Sequence, residues 1–140
     1  MASNLQGSAQ LRARLKAIKE SFRPIGRKWA TSTTRHARTS APNRTGRGRR
    51  SIRVKSASQR KATVVANYYM AILDKGAKAH TIVPRRKPTL VFQAGGRTVF
   101  SKKVHKPATR GLGFAGRAAR DGLRDNPMAD ELIRQWNSAA

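Results

Sequence analysis

Three histidines and six carboxylates are all that this 140-residue chain offers for proton transfer or metal ligation, and it has no cysteine. The missing thiol excludes disulfides, zinc-thiolate centres, iron–sulfur clusters and thiol nucleophiles. Asp74, His80 and His105 fall among strand-like segments and together would make a metal site or an acid–base pair. Their spacings match no ligand motif, so they read more simply as polar residues at strand ends. His36 stands apart from them, and Ser51, after a basic run, reads as the start of a strand rather than as a nucleophile. The run RTGRGRR, from Arg44 to Arg50, has glycines but not the order G-x-x-x-x-G-K-[ST] of a phosphate loop, and those glycines supply flexibility instead. No catalytic set, metal site or cofactor site is expected.

Binding chemistry is far better represented. Lys and Arg number 31 against six acids, a net charge of +25, so the expected partner is a polyanion or an acidic protein. The densest cluster is Arg44, Arg47, Arg49, Arg50 and Arg53. Three readings are open for it: a grip on DNA phosphates, a solvated arm, or pairing with acidic residues of another protein. Arg85, Arg86 and Lys87, between Pro84 and Pro88, form a second basic loop with the same alternatives. Neither cluster has aromatic residues interleaved in sequence, which argues against single-strand binding or base readout. The last twenty residues reverse the pattern, with Asp121, Asp125, Asp130 and Glu131 against Arg124 and Arg134. Basic body and acidic end would pair within the chain or head-to-tail in a ring.

The elements that must carry these groups come in four parts. Leu11, Leu15, Ile18, Phe22, Ile25 and Trp29 line one helical face and predict a helix over 8–30, kinked or split near Phe22–Arg23 by Pro24. That face would pack on the chain's own sheet or, alternatively, against another subunit as a coiled coil. Residues 31–50, rich in Thr, Ser, Gly, Pro and Arg, predict a long basic loop or arm. Residues 51–104 predict a small, mostly antiparallel sheet of the runs SIRV, ATVVA, HTIV, TLVF and RTVF, with QAGGRT as a hairpin turn and YYMAIL as a strand or a helical turn. Residues 113–138 predict C-terminal helices, the second opened by Asn126 as N-cap and Pro127 at the first helical position, with Asp130 and Glu131 near the positive end of its dipole. The fold class is α+β, and the length suits a single domain, 1–140. Only 38% of residues are hydrophobic, so part of the chain is expected to order against a partner. No apolar run is long enough for a membrane span and the first ten residues lack signal-peptide order, so a soluble protein made in the cytoplasm is expected.

The order of these motifs resembles the tail-completion proteins, also called neck, head-tail connector or minor tail proteins, of long-tailed double-stranded DNA phages. The resemblance spans 11–123. It rests on Pro42, Thr45, Gly46, Ser51 and Ile52 after an amphipathic helix, then Tyr69, Asp74, Gly76 and His80, then His105, Pro107 and Phe114 leading into a final helix. Gly48 stands where that family has Leu, Asp74 where it has Glu, Ala77 where it has Thr and Ala108 where it has Gly. The resemblance implies a non-enzymatic virion subunit at the head–tail junction, assembled as a homo-oligomeric ring, with six-fold symmetry expected, around the DNA channel. It implies neighbouring neck, terminator and tail-tube proteins as partners, and nonspecific contact with double-stranded DNA. A tail-terminator ring and a non-virion basic nucleic-acid-binding protein are the alternatives.

Overall fold

The computed structural model describes residues 3–139. The fold is α+β, with a long N-terminal helix, antiparallel hairpins and C-terminal helices. The chain divides into two compact units, 1–70 with 113–140 and 71–112.

In the first unit α1 runs from Ser3 to Ser40, through Pro24 and well past residue 30. Proline at this position leaves the Glu20 carbonyl without its usual donor, but both residues are exposed and water can take the donor's place. Residues 31–40 are therefore helix, not arm, and the irregular backbone shrinks to 41–46 ahead of a short helix α2, Arg47–Ser51. The Ser and Thr residues that resemble loop composition find partners inside the helix. Thr34 Oγ1 donates to Ala30 O at 2.7 Å, Thr39 Oγ1 to Arg35 O at 3.1 Å and Ser40 Oγ to His36 O at 2.7 Å.

Small residues on that segment also make the tightest packing in the unit. Helix α4, Phe114–Asp125, lies on α1 with Phe114, Ala118 and Gly122 buried along one face. Facing them, Ala30, Thr33 and Ala37 are buried on α1 at helical spacing. The backbones approach so closely that a Cβ at Gly122 would run into Thr33 Oγ1. Trp29 closes one side, its Nε1 donating to Ala119 O at 3.3 Å. Helix α5, Met128–Ser138, packs on α1 as well, with the Arg14 guanidinium 5.6 Å from the centroid of the Trp136 ring. Pro127 is itself the N-cap of α5, and Asn126 instead ends α4, its backbone N–H donating to Gly122 O at 3.1 Å. Asp130 and Glu131 occupy the first turn of α5, as expected.

The hairpin of β1, Arg53–Ala57, and β2, Ala62–Val65, also packs on α1, where Gly26 allows Ala62 to approach. The apolar stripe of α1 is therefore covered within its own unit at Ile25, half-covered at Ile18, Phe22 and Trp29, and left largely exposed at Leu11 and Leu15. YYMAIL forms helix α3, Tyr68–Lys75, not a strand.

Instead of one sheet over 51–104, strands pair only two by two among the described residues. The second unit is a ribbon. β3, Gly76–Ala77, pairs with β8, Thr109–Arg110, and β4, His80–Ile82, pairs with β7, Val104–Lys106. One register runs through both ladders, and the hydrogen bonding lapses where Ala79 faces Pro107, which has no N–H to give. Farther along, β5, Leu90–Ala94, and β6, Arg97–Ser101, form the expected hairpin. Gly95 and Gly96 hold φ of 56° and 77°, the two left-handed positions of a type I′ turn.

Candidate basic interface

Gly46 is the N-cap of α2, and its φ of 71° is open to glycine at little cost. The helix that follows aims Arg47 and Arg50 at solvent and leaves Arg49 half-buried. Arg49 Nε donates to Ala41 O at 2.8 Å and Nη2 to Thr39 O at 3.4 Å. Across from it Arg38, on the last turn of α1, donates from Nε to Ile52 O at 2.9 Å. Two guanidinium groups are thus fastened through Nε to main-chain carbonyls, and Arg49 spends Nη2 on the backbone as well. Together with Thr39 and Arg50 they line an open cleft of about 680 Å³. No residue between Glu20 and Asp74 is acidic.

Ser51 and Met70 lock this corner. Ser51 Oγ donates to Gly48 O at 2.7 Å and accepts from Asn67 N–H at 3.1 Å, so the hydroxyl is occupied by structure. Ile52 is buried, and so is Met70, whose Sδ fills the space a side chain at position 48 would need. The glycine at 48 is thereby explained: any side chain there would collide with Met70. Asn67 brings the start of α3 against α2, and the side chains of Tyr68 and Tyr69 stand out to solvent, 81% and 63% exposed. Pro42, Arg44 and Thr45 are exposed just before α2, and Arg53 just after it.

The remaining predicted residues fall elsewhere. Phe114 is buried in the α1–α4 packing. Arg85, Arg86 and Lys87 lie exposed in the second unit, within the irregular segment between β4 and β5. Gly76 starts β3, and Asp74 is half-buried just before it. His80 Nδ1 lies 3.0 Å from Lys78 O, and His105 Nδ1 lies 3.4 Å from Thr81 Oγ1 on the opposing strand. Among the described residues, no three His, Cys, Asp or Glu side chains gather as a metal site would require.

One cluster was not legible beforehand. Ser32, Arg35 and His36, spaced along one face of α1, converge on a single oxygen, Oδ2 of Asp125, at 2.6, 2.8 and 2.7 Å. The Ser32 hydroxyl is the largest influence and His36 the next, and they hold the Asp125 carboxyl at about 2, below its ordinary 3.8. The neighbouring open cleft, about 590 Å³ and lined by Arg27, Lys28 and Arg35, includes this carboxylate. There the carboxylate offsets part of the positive charge and engages Arg35, whereas the Arg38–Arg49–Arg50 cleft contains no acid. The chemistry this cleft supports is docking of carboxylate or phosphate on arginine side chains. No helix among the described residues is long and apolar enough to cross a membrane. No protein-family model, curated protein or solved structure matches the chain.

Proposed function

We propose that the chain is a structural virion protein of the phage neck, which completes the tail or joins it to the DNA-filled head as a multi-copy ring around the DNA channel. The observation that carries this reading is the basic corner itself. It is a rigid, acid-free surface with Arg38 and Arg49 fastened to the backbone, built for docking and with no acid–base pair in its lining. The motif order from Pro42 to Phe114 supports it, and so does the structural employment of Gly46, Ser51 and Ile52 within that order. In this reading most arginines face acidic surfaces of neighbouring rings, because a channel lined by them would hold DNA by salt-sensitive phosphate contacts and hinder its passage. The subunit catalyses nothing.

The test is deletion of the gene from the phage genome with negative-stain microscopy of the lysate, alongside Arg47→Glu/Arg50→Glu in the same background. Filled heads beside separate tails of normal length are expected from both. Tails of uncontrolled length would assign the terminator role instead. Infectious particles of normal yield would overturn the reading and leave a nucleic-acid-binding protein in its place.

A further inference from the structure

The β5–β6 hairpin has apolar side chains with nothing packed over them. Val91 and Phe100 are directly paired across the ladder and are 57% and 67% exposed, and Phe92, on the other face, is also exposed. Among the described residues neither strand has a second neighbour, so both edges of the hairpin are open there. A two-stranded hairpin of this length is marginal in water unless another surface covers it.

Charge decides what that surface is. Within residues 90–101 Arg97 is the only charged side chain. The basic residues crowd the base: the Ile82–Val104 and Leu90–Ser101 pairs confine Arg85, Arg86, Lys87, Lys102 and Lys103 to the two connections between the ladders. An apolar centre with a charged rim is the anatomy of a protein–protein contact. A ribbon laid in a DNA groove would carry cations and free hydrogen-bonding groups along its strands; this one has a single cation, Arg97, at the turn, and Gln93 Nε2 is engaged with Thr98 Oγ1 at 2.8 Å beside the Val91–Phe100 pair. A second copy of the same surface is disfavoured, because Asp74 is the one acid of the 71–112 unit against ten Lys and Arg.

We infer that the β5–β6 hairpin docks on a different protein, through an apolar stripe bordered by acidic residues. Strand addition along an open edge would align the two, with Val91 and Phe100 as anchors and the Arg85–Lys87 and Lys102–Lys103 segments pairing with the acidic border. The inference stands on the second unit and does not depend on the phage-neck reading.

The experiment measures binding of the full-length protein to three probes: a soluble peptide of alternating Val and Glu, a peptide of alternating Ser and Glu with the same charge, and a short DNA duplex. Val91→Ser/Phe100→Ser removes the anchors from positions already in solvent, and Phe100→Leu keeps an apolar group. The Val–Glu peptide is expected to bind at least about tenfold tighter than the Ser–Glu peptide, with the preference lost in the double variant and kept in Phe100→Leu. Equal binding of the two peptides, or none by the Val–Glu peptide, overturns the inference. Loss of duplex affinity in the double variant, with peptide binding unchanged, would assign the hairpin to nucleic acid. A dimer in sedimentation equilibrium that the double variant abolishes would assign it to a second copy.

Discussion

Gly122→Ala is the sharpest test of how the first unit is held together. A methyl group there meets Thr33 Oγ1 in direct overlap and comes to 3.0 Å from Thr33 N and 3.2 Å from its Cα, all inside the α1–α4 contact. Overpacking of this kind costs about 1–3 kcal/mol. The direct overlap puts the cost in the upper part of that range, about 2–3 kcal/mol. Alanine regains about 1 kcal/mol of helix propensity over glycine, so the net loss should be about 1–2 kcal/mol. For a unit of this size that lowers the melting temperature by roughly 4–8 °C per kcal/mol. Thr33 supplies the internal control: its Oγ1 is buried and without a hydrogen-bond partner, so Thr33→Ala removes an unsatisfied hydroxyl and should lie within about 1 kcal/mol of the parent. The double variant Thr33→Ala/Gly122→Ala frees the worst overlap but not the backbone approach. It should therefore recover only part of the loss, with a coupling of about 1 kcal/mol between the sites. Thermal and urea unfolding followed by circular dichroism at the helical band reads all four corners of the cycle. A Gly122→Ala protein as stable as the parent, or strictly additive effects, would show that α1 and α4 do not meet there and that 31–40 is not a packed helix.

Other perturbations follow from the same contacts. Because folding lowers the Asp125 pKa from 3.8 to about 2, the folded state binds fewer protons than the unfolded state between those values. Its stabilising contribution is complete above about pH 4 and fades as pH falls toward 2; Asp125→Asn should flatten that acid limb in a melting-temperature profile, and Ser32→Ala should flatten it more than Arg35→Ala. Gly48→Leu should destabilise by about 1–3 kcal/mol through collision with Met70, and Met70→Ala in the same chain should relieve part of it. Arg49→Ala should lower stability by about 1 kcal/mol, the worth of its bond to Ala41 O, while Arg50→Ala should leave the melting temperature unchanged and weaken only binding.

The elements with strong period or turn chemistry were legible: the apolar stripe of α1, the Gly95–Gly96 hairpin and the C-terminal helices all lie where pattern places them. What the pattern misjudged was the meaning of small polar residues. In TSTTRHARTS, hydroxyls suggest loop because they compete with the backbone for hydrogen bonds, yet the same groups can bond the carbonyl four residues back and let another helix approach. Only the partner, with Ala118 and Gly122 at matching intervals, decides between these outcomes, and it lies some ninety residues away. The convergence of Ser32, Arg35 and His36 on Asp125 was hidden for that same reason, since it exists only once 31–40 is helical.

The consequence reaches the proposed interface. A flexible arm from 31 to 50 would have lost much conformational entropy on clasping a neighbour. With α1 continuing to Ser40 and Arg38 and Arg49 tied to Ile52 and Ala41, that ordering is already done by folding. The corner offers a fixed arrangement of charge, so it should discriminate among anionic partners by geometry as well as by net charge. Replacing Arg50 by Lys keeps the charge but abandons the planar fork, and should weaken docking of a carboxylate-bearing partner severalfold more than it weakens adsorption to duplex DNA, in which point charges largely suffice. Equal losses on both would mean that the cleft acts through its net charge alone.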